Sequence, residues 1–314
     1  GIAGATAATD VAAVDFEANV AIDLVAARGT EPTFVFMNQR AGQFARLPEP
    51  PGPWPAARRV LADDLDNDGN ADALLLAAND AVILFGRRAQ RQRFDLAALT
   101  QPTGVLFDFD NDGWLDFFVA GVRTSSPTGG ALRLWRNTGG GEWTDITEAS
   151  GLASVQFAAV SDVVPADFDN DGDTDMLLLS SAGPLHFLRN DGGNANGQLK
   201  VRLLGTKTNP TGLGTRVEVR AGEFVATRSV SRLPIEIGLG ARKQLDSVQT
   251  VWSNGIVDNQ IDVDAKPQPL TIPEKNVAAG SCPYLYAWDG RQFRFVTDLL
   301  GNSPLGLSLR RGAV

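Results

Sequence analysis

One nine-residue pattern occurs three times in register, and it constrains the fold more than any other feature of the chain. Asp64-Leu-Asp-Asn-Asp-Gly-Asn-Ala-Asp72, Asp108-Phe-Asp-Asn-Asp-Gly-Trp-Leu-Asp116 and Asp167-Phe-Asp-Asn-Asp-Gly-Asp-Thr-Asp175 all read D-x-D-N-D-G-x-x-D. An apolar run follows each copy at once: Ala73–Ala78, Phe117–Ala120 and Met176–Leu179. A weaker copy spans Asp15 to Asp23 and precedes Leu24–Ala27. The four starts, at 15, 64, 108 and 167, are spaced by 49, 44 and 59 residues. A chain with this repeat must be built from similar units rather than one continuous element.

The acids at positions 1, 3, 5 and 9 of each loop suggest a specific chemistry. Several carboxylates packed into one tight turn repel one another, and a divalent cation is the physical resolution. Calcium takes six to eight hard oxygen ligands at flexible geometry. Glycine at position 6 allows the sharp turn, and position 7 can offer its backbone carbonyl. The first site would use Asp64, Asp66, Asp68, the Asn70 carbonyl and Asp72. The second would use Asp108, Asp110, Asp112, the Trp114 carbonyl and Asp116. The third would use Asp167, Asp169, Asp171, the Asp173 carbonyl and Asp175. With no histidine or cysteine nearby, zinc and copper are disfavoured. An EF-hand would need a Glu at position 12, where this chain has Leu75, Val119 and Leu178. In the Asp15–Asp23 copy, Glu17 and Asn19 replace aspartates and Val20 replaces the glycine, so it reads as a relic of the motif.

Each unit continues with an alternating strand and a glycine-rich turn. Leu132–Asn137, Gly139–Gly141 and Glu142–Ile146 form the clearest set. Thr33–Asn38 with Gly42–Phe44 is a second, and Leu185–Asn190 begins a third. Period-2 alternation between turn residues predicts antiparallel strands, and a period near 40–50 residues suits the blade of a β-propeller. Leu47–Pro55, Thr124–Gly130 and Asp191–Gly197 are the expected loops. Beyond about residue 197 the repeat stops. Strands are then expected at Leu199–Leu204, Thr215–Arg220, Glu223–Val230 and Ser247–Trp252, with Gly212–Gly214 and Gly238–Gly240 as turns. A final hairpin is expected at Tyr284–Trp288 and Arg291–Val296, reversed tightly at Asp289-Gly290. The expected fold class is all-β. It has propeller repeats over 1–197, a smaller β-rich region over 198–275 and a hairpin extension over 276–314.

Charge narrows the partners. The net charge is −9 with a pI near 4.7. No basic stripe is visible, so nucleic acid is not an expected partner. No apolar run reaches the length of a membrane helix, and no signal peptide is visible. The chain opens in what reads as the middle of a repeat, which leaves room for a leader or upstream domain.

The loops resemble the calcium loops of FG-GAP/VCBS repeats, found in integrin α-subunit propellers and many bacterial extracellular proteins. The later sequence extends the likeness. Thr211-Gly-Leu-Gly-Thr-Arg-Val-Glu-Val219, Gly238-Leu-Gly240 and Asp246–Trp252 through Gly255 resemble the ASPIC/UnbV segment of the cartilage acidic protein-like family. That family usually has Trp-Pro-x-Gly where this chain has Trp252-Ser-Asn-Gly255. The likeness covers about residues 1–275. It implies a secreted, periplasmic or cell-surface location, where millimolar calcium suits weak sites. Four units are too few for the family's usual ring. Blades upstream, closure of the ring by the later region, and a reduced propeller all remain open.

No catalytic motif accompanies the repeats, and no enzyme activity is expected. The one histidine, His186, lies in an apolar strand and reads as structural. The one cysteine, Cys282, precedes Pro283 and reads as a buried thiol. Trp135 and Trp143 read as core residues on strands, with an exposed contact surface as the alternative. The leading expectation is a calcium-rigidified scaffold that binds another protein within an extracytoplasmic assembly. The alternative is a carbohydrate-binding module or glycan-active enzyme.

Overall fold

The computed structural model describes residues 8–40, 42–47, 54–84, 86, 91–180, 183–266, 268–275, 284–288, 290–291 and 293–298. Contacts divide the chain into two units, Gly1–Glu274 and Lys275–Val314.

Each sequence repeat is one antiparallel meander with its strands in chain order. The first sheet holds β1 (Asp10–Val14), β2 (Asp23–Arg28), β3 (Glu31–Asn38) and β4 (Phe44–Arg46). The second holds β5 (Arg59–Asp63), β6 (Asp72–Leu76), β7 (Asp80–Leu84) and β8 (Arg91–Asp95). The third holds β9 (Leu99–Phe107), β10 (Asp116–Arg123), β11 (Ser126–Asn137) and β12 (Trp143–Asp145). The fourth has only β13 (Val160–Ala166), β14 (Asp175–Ser180) and β15 (His186–Leu188) among the described residues. Every acidic loop joins the first strand of its sheet to the second.

The apolar runs behind the loops are continuous because neighbouring sheets cover both faces of these strands. On β10, Phe117 and Val119 pack with Leu74, Leu76, Ile83 and Phe94 of the second sheet. Phe118 and Ala120, pointing the opposite way, pack with Val160, Val163, Met176 and Leu178 of the fourth. Burying side chains of this size stabilises by roughly 1.5–3 kcal/mol each. Trp135 joins the same core, stacked on Phe117 at a centroid distance of 5.3 Å, and Trp143 meets Phe94 edge-on. The far face of the fourth sheet differs: Val164, Leu179 and Phe187 remain about half exposed. His186 points the other way, opposite Leu178, where it is partly buried with its ring edge-on to Phe157.

The Thr124–Gly130 segment is not a loop. β10 runs to Arg123 and β11 begins at Ser126, with Val122 opposite Gly130. Its glycines allow close packing rather than reversal. A Cβ on Gly130 would lie 2.1 Å from the Phe157 ring.

The later region packs within the same unit as the repeats. β16 (Gly197–Leu204), β17 (Arg216–Ala221), β18 (Phe224–Ser229), β19 (Ile235–Gly240), β20 (Gln244–Val251), β21 (Val257–Asp264) and β22 (Leu270–Pro273) follow in order. One sheet runs β19-β16-β22, with β16 and β22 parallel, and the other runs β18-β17-β20-β21. Their shared core centres on fully buried Trp252, with Val201, Leu203, Val219, Ile237 and Val248. Gly238, expected in a turn, lies inside β19.

In the second unit, β23 (Tyr284–Trp288) and β24 (Phe293–Asp298) form a hairpin. Trp288 pairs with Phe293, and Asp289 of the expected Asp289-Gly290 reversal lies outside the described residues. The two rings meet edge-on at 5.3 Å and close the hairpin beyond the expected turn. Cys282 lies outside the described residues. Among the described residues, no helix is long and apolar enough to cross a membrane.

Candidate metal centre

The three acidic loops share one internal scaffold. The position 1 carboxylate accepts the N–H of position 6: Gly69 to Asp64 at 2.8 Å, Gly113 to Asp108 at 2.9 Å and Gly172 to Asp167 at 3.0 Å. Position 5 accepts the N–H of position 7: Asn70 to Asp68 and Trp114 to Asp112 at 2.9 Å, Asp173 to Asp171 at 3.3 Å. Position 9 accepts the N–H of position 2: Leu65 to Asp72, Phe109 to Asp116 and Phe168 to Asp175. The Asn at position 4 has positive φ in every copy (Asn67, Asn111, Asn170), as does the glycine at position 6. Both residue types tolerate that region.

This scaffold gathers three of the four predicted acids. Oxygen atoms of Asp64, Asp66 and Asp72 lie within 4.8 Å of one another, as do those of Asp108, Asp110 and Asp116 and those of Asp167, Asp169 and Asp175. At position 5, one oxygen of each acid, Oδ1 of Asp68, Asp112 and Asp171, holds the loop backbone. Asp112 also pairs with Arg136 at 3.1 Å, and Asp171 accepts from the Asn194 amide at 3.2 Å. Asp173, predicted to offer only its carbonyl, is a buried side chain whose Oδ2 accepts the Asn194 N–H.

Two observations test the fit of a cation. The donors are all oxygen, as a hard divalent ion requires. In addition, Asp110 Oδ1 and Asp167 Oδ1 are buried with no hydrogen-bond partner. Such atoms are costly unless something positive faces them. Calcium fits this donor set: Asp64, Asp66 and Asp72, Asp108, Asp110 and Asp116, and Asp167, Asp169 and Asp175 would hold it.

Electrostatics agree. Burial, with repulsion from Asp66, Asp64 and Asp68, pushes Asp72 up to about 8 against the Leu65 hydrogen bond. Burial and the neighbouring Asp63 and Asp68 raise Asp64 to about 7. Burial raises Asp108 to about 7, although Arg228 opposes it, and burial lifts Asp116 well above the usual carboxylate range. A cation among these groups reverses the effect and holds them ionised.

Two sets of supporting residues went unassigned in the sequence. Asn137 ends β11 and Asn190 lies two residues beyond β15, and their N–H groups bond Asp116 and Asp175. Their side-chain amides reach the preceding loop, at Leu65 O and Phe109 O respectively. The recurring strand-end Asn was a visible signal. The second set comes from the later region and had no local signal. Arg228, 3% exposed, donates to Gly113 O at 2.9 Å and faces Asp108 at 3.9 Å. Arg216 donates to Gly69 O, the Gly238 N–H donates to Asp108 Oδ2, and Lys200 pairs with Asp167. A Cβ on Gly238 would lie 2.2 Å from Asp108 Oδ2 and 2.4 Å from Asn111 Cα, so only glycine permits this approach.

Together these features define an all-β repeat protein with acidic hairpin loops. Residues 108–178 match the FG-GAP-like repeat family, so the FG-GAP likeness holds over the second and third loops. No curated protein matches this chain. Among solved structures, the crystal structure of the V. cholerae biofilm matrix protein Bap1 is similar at 13% identity and a TM-score of 0.30, covering 82% of this chain. The chain spans about half the length of that structure, 49%.

Proposed function

We propose that this chain is a calcium-stabilised β-propeller of the FG-GAP/VCBS type, whose later region is of the ASPIC/UnbV kind. It serves outside the cytoplasm as a scaffold that binds another protein. The observation that carries the calcium reading is the repeated convergence of three carboxylates, with buried and partnerless Asp110 Oδ1 and Asp167 Oδ1 among them. The propeller reading is supported by successive meanders that share cores face to face. Calcium would act structurally: an ion bound only by the folded state stabilises it by mass action. Millimolar calcium outside the cytoplasm would keep sites of modest affinity filled.

Protein binding is the finer part of the proposal. Val164, Leu179 and Phe187 leave a row of apolar side chains on the far face of the fourth sheet, the kind of surface a protein partner covers.

Thermal melting in EDTA and in calcium tests the reading. Calcium should raise the melting temperature well above its value in EDTA, and magnesium should do so less. An identical melt in both would remove the calcium reading. For the scaffold part, pull-down from extracytoplasmic extracts and glycan screening separate the readings. Specific glycan binding without a protein partner would overturn the scaffold.

A further inference from the structure

The third loop differs from the other two. It carries a fifth carboxylate, Asp173 at position 7, where the others have Asn70 and Trp114. It also meets a lysine. Lys200 on β16 places its ammonium on Asp167 Oδ2, and the two side chains are 12% and 1% exposed. Lys200 sits directly opposite Glu236 of β19. Glu236 itself accepts the Asp167 N–H at 3.3 Å and the Thr174 hydroxyl at 3.0 Å. A cross-strand pair from the later region is thus inserted against position 1 of this loop. Cations also meet the second loop, where Arg136 pairs with Asp110 and Asp112 and Arg228 faces Asp108 at 3.9 Å, but only the third loop has its position 1 carboxylate paired with a lysine from β16.

Resting on the calcium reading, we propose that Lys200 is a tethered counter-ion that lowers the third loop's own affinity for a divalent cation. Asp167 Oδ2 is already saturated by Lys200 and the Gly172 N–H, while Oδ1 is buried and partnerless. A divalent ion held by Oδ1 stands a few ångströms from the ammonium, and like charges at that range repel strongly in a partly buried setting. When no ion is bound, the ammonium offsets the acids and pins the later region to the loop. The third loop therefore stays folded at low calcium and needs more calcium to fill than it would without Lys200.

The test uses the full chain and calcium alone. Calorimetric titration compares the wild type with two variants at Lys200. Lys200→Met, which keeps the length of the stem, should tighten one site at least tenfold and leave the other two unchanged. Lys200→Arg, which keeps the charge, should behave as the wild type. The second readout is melting. Lys200→Met should melt below the wild type in EDTA, because Asp167 is left buried and unpaired, yet gain more from calcium. A third site unchanged in Lys200→Met, or an equal calcium-induced rise in melting temperature, would overturn the proposal while leaving the calcium reading intact. Absence of calcium binding at every loop would overturn both.

Discussion

The loop from Asp15 to Asp23 and the loop from Asp108 to Asp116 fold alike, yet only one carries the acidic pattern. In the first, Asp15 accepts the Asn19 and Val20 N–H groups, Asn19 accepts the Ala21 N–H, and Asp23 accepts the Phe16 and Asn38 N–H groups. Asp108, Asp112 and Asp116 make the same bonds in the second. Even the left-handed positions recur, at Ala18 and Val20 instead of Asn111 and Gly113. The loop's shape is therefore set by its acceptors at positions 1, 5 and 9. A cation would use the convergence of the acids at positions 1, 3 and 9, and at position 3 the first loop has the longer Glu17 instead of aspartate. Among the described residues, the acidic trios fall in the other three loops and not here.

The largest expected effect separates the loops by what covers them. Gly238→Ala places a methyl group on Asp108 and Asn111 and should cost about 3 kcal/mol in denaturant unfolding. Gly69→Ala, in open space at φ +88°, should cost only about 1 kcal/mol. Equal losses would mean that the later region does not seat on the second loop.

A ligand substitution tests that convergence of acids. Asp116→Asn should remove one site's calcium stabilisation, about 2.7 kcal/mol at calcium a hundredfold above its dissociation constant. Asp23→Asn should leave the calcium-induced melting shift intact. The paired shifts, measured by calorimetry, decide whether the first loop is silent toward metal.

A smaller gain should come from relieving strain. Val20 is β-branched at φ 68°. Val20→Gly should stabilise by about 1 kcal/mol without creating a calcium site. New calcium binding in this variant alone would show that the turn glycine, and not the replacement of aspartates by Glu17 and Asn19, silences the loop.

Glu274 supplies the opposite extreme from the trios. It is buried, and its Oε2 accepts the N–H groups of Thr206, Lys207 and Thr208 at 2.8, 2.8 and 2.9 Å. Burial alone would raise its carboxyl, but the amides of Thr208, Lys207 and Thr206 outweigh it and hold the group down to about 2. Its contribution to stability is thus complete above 4.5, the ordinary value, and is lost as pH falls through about 2. The stability gap between the wild type and Glu274→Gln should be constant above pH 5 and close as pH falls toward 2. A gap that persists at pH 2 would show that the amides do not select the charged form.

Much of this architecture was legible in the chain. The acidic loops, the apolar runs behind them and the paired strands of Thr33–Asn38 and Leu132–Asn137 were visible, because each carries its own periodicity and punctuation. Strands such as β5, β9 and β13 were not. Their apolar residues are interrupted by polar ones, and only pairing with the run beyond the loop makes them strands. The roles of Lys200, Arg228 and Gly238 were invisible for another reason: each contact joins residues more than 30 positions apart. Spacing reports which residues share a turn. It does not report which way a carboxylate faces, and Asp68, Asp112 and Asp171 face backbone amides.

The central claim is that a divalent cation sits among the acids of three loops and not the fourth. Anomalous difference maps from crystals grown in calcium test it most directly. The account predicts a peak at the Asp64, Asp108 and Asp167 loops, within 2.3–2.6 Å of their carboxylate oxygens, and none at Asp15. Maps at saturating calcium without peaks at those three loops would contradict it.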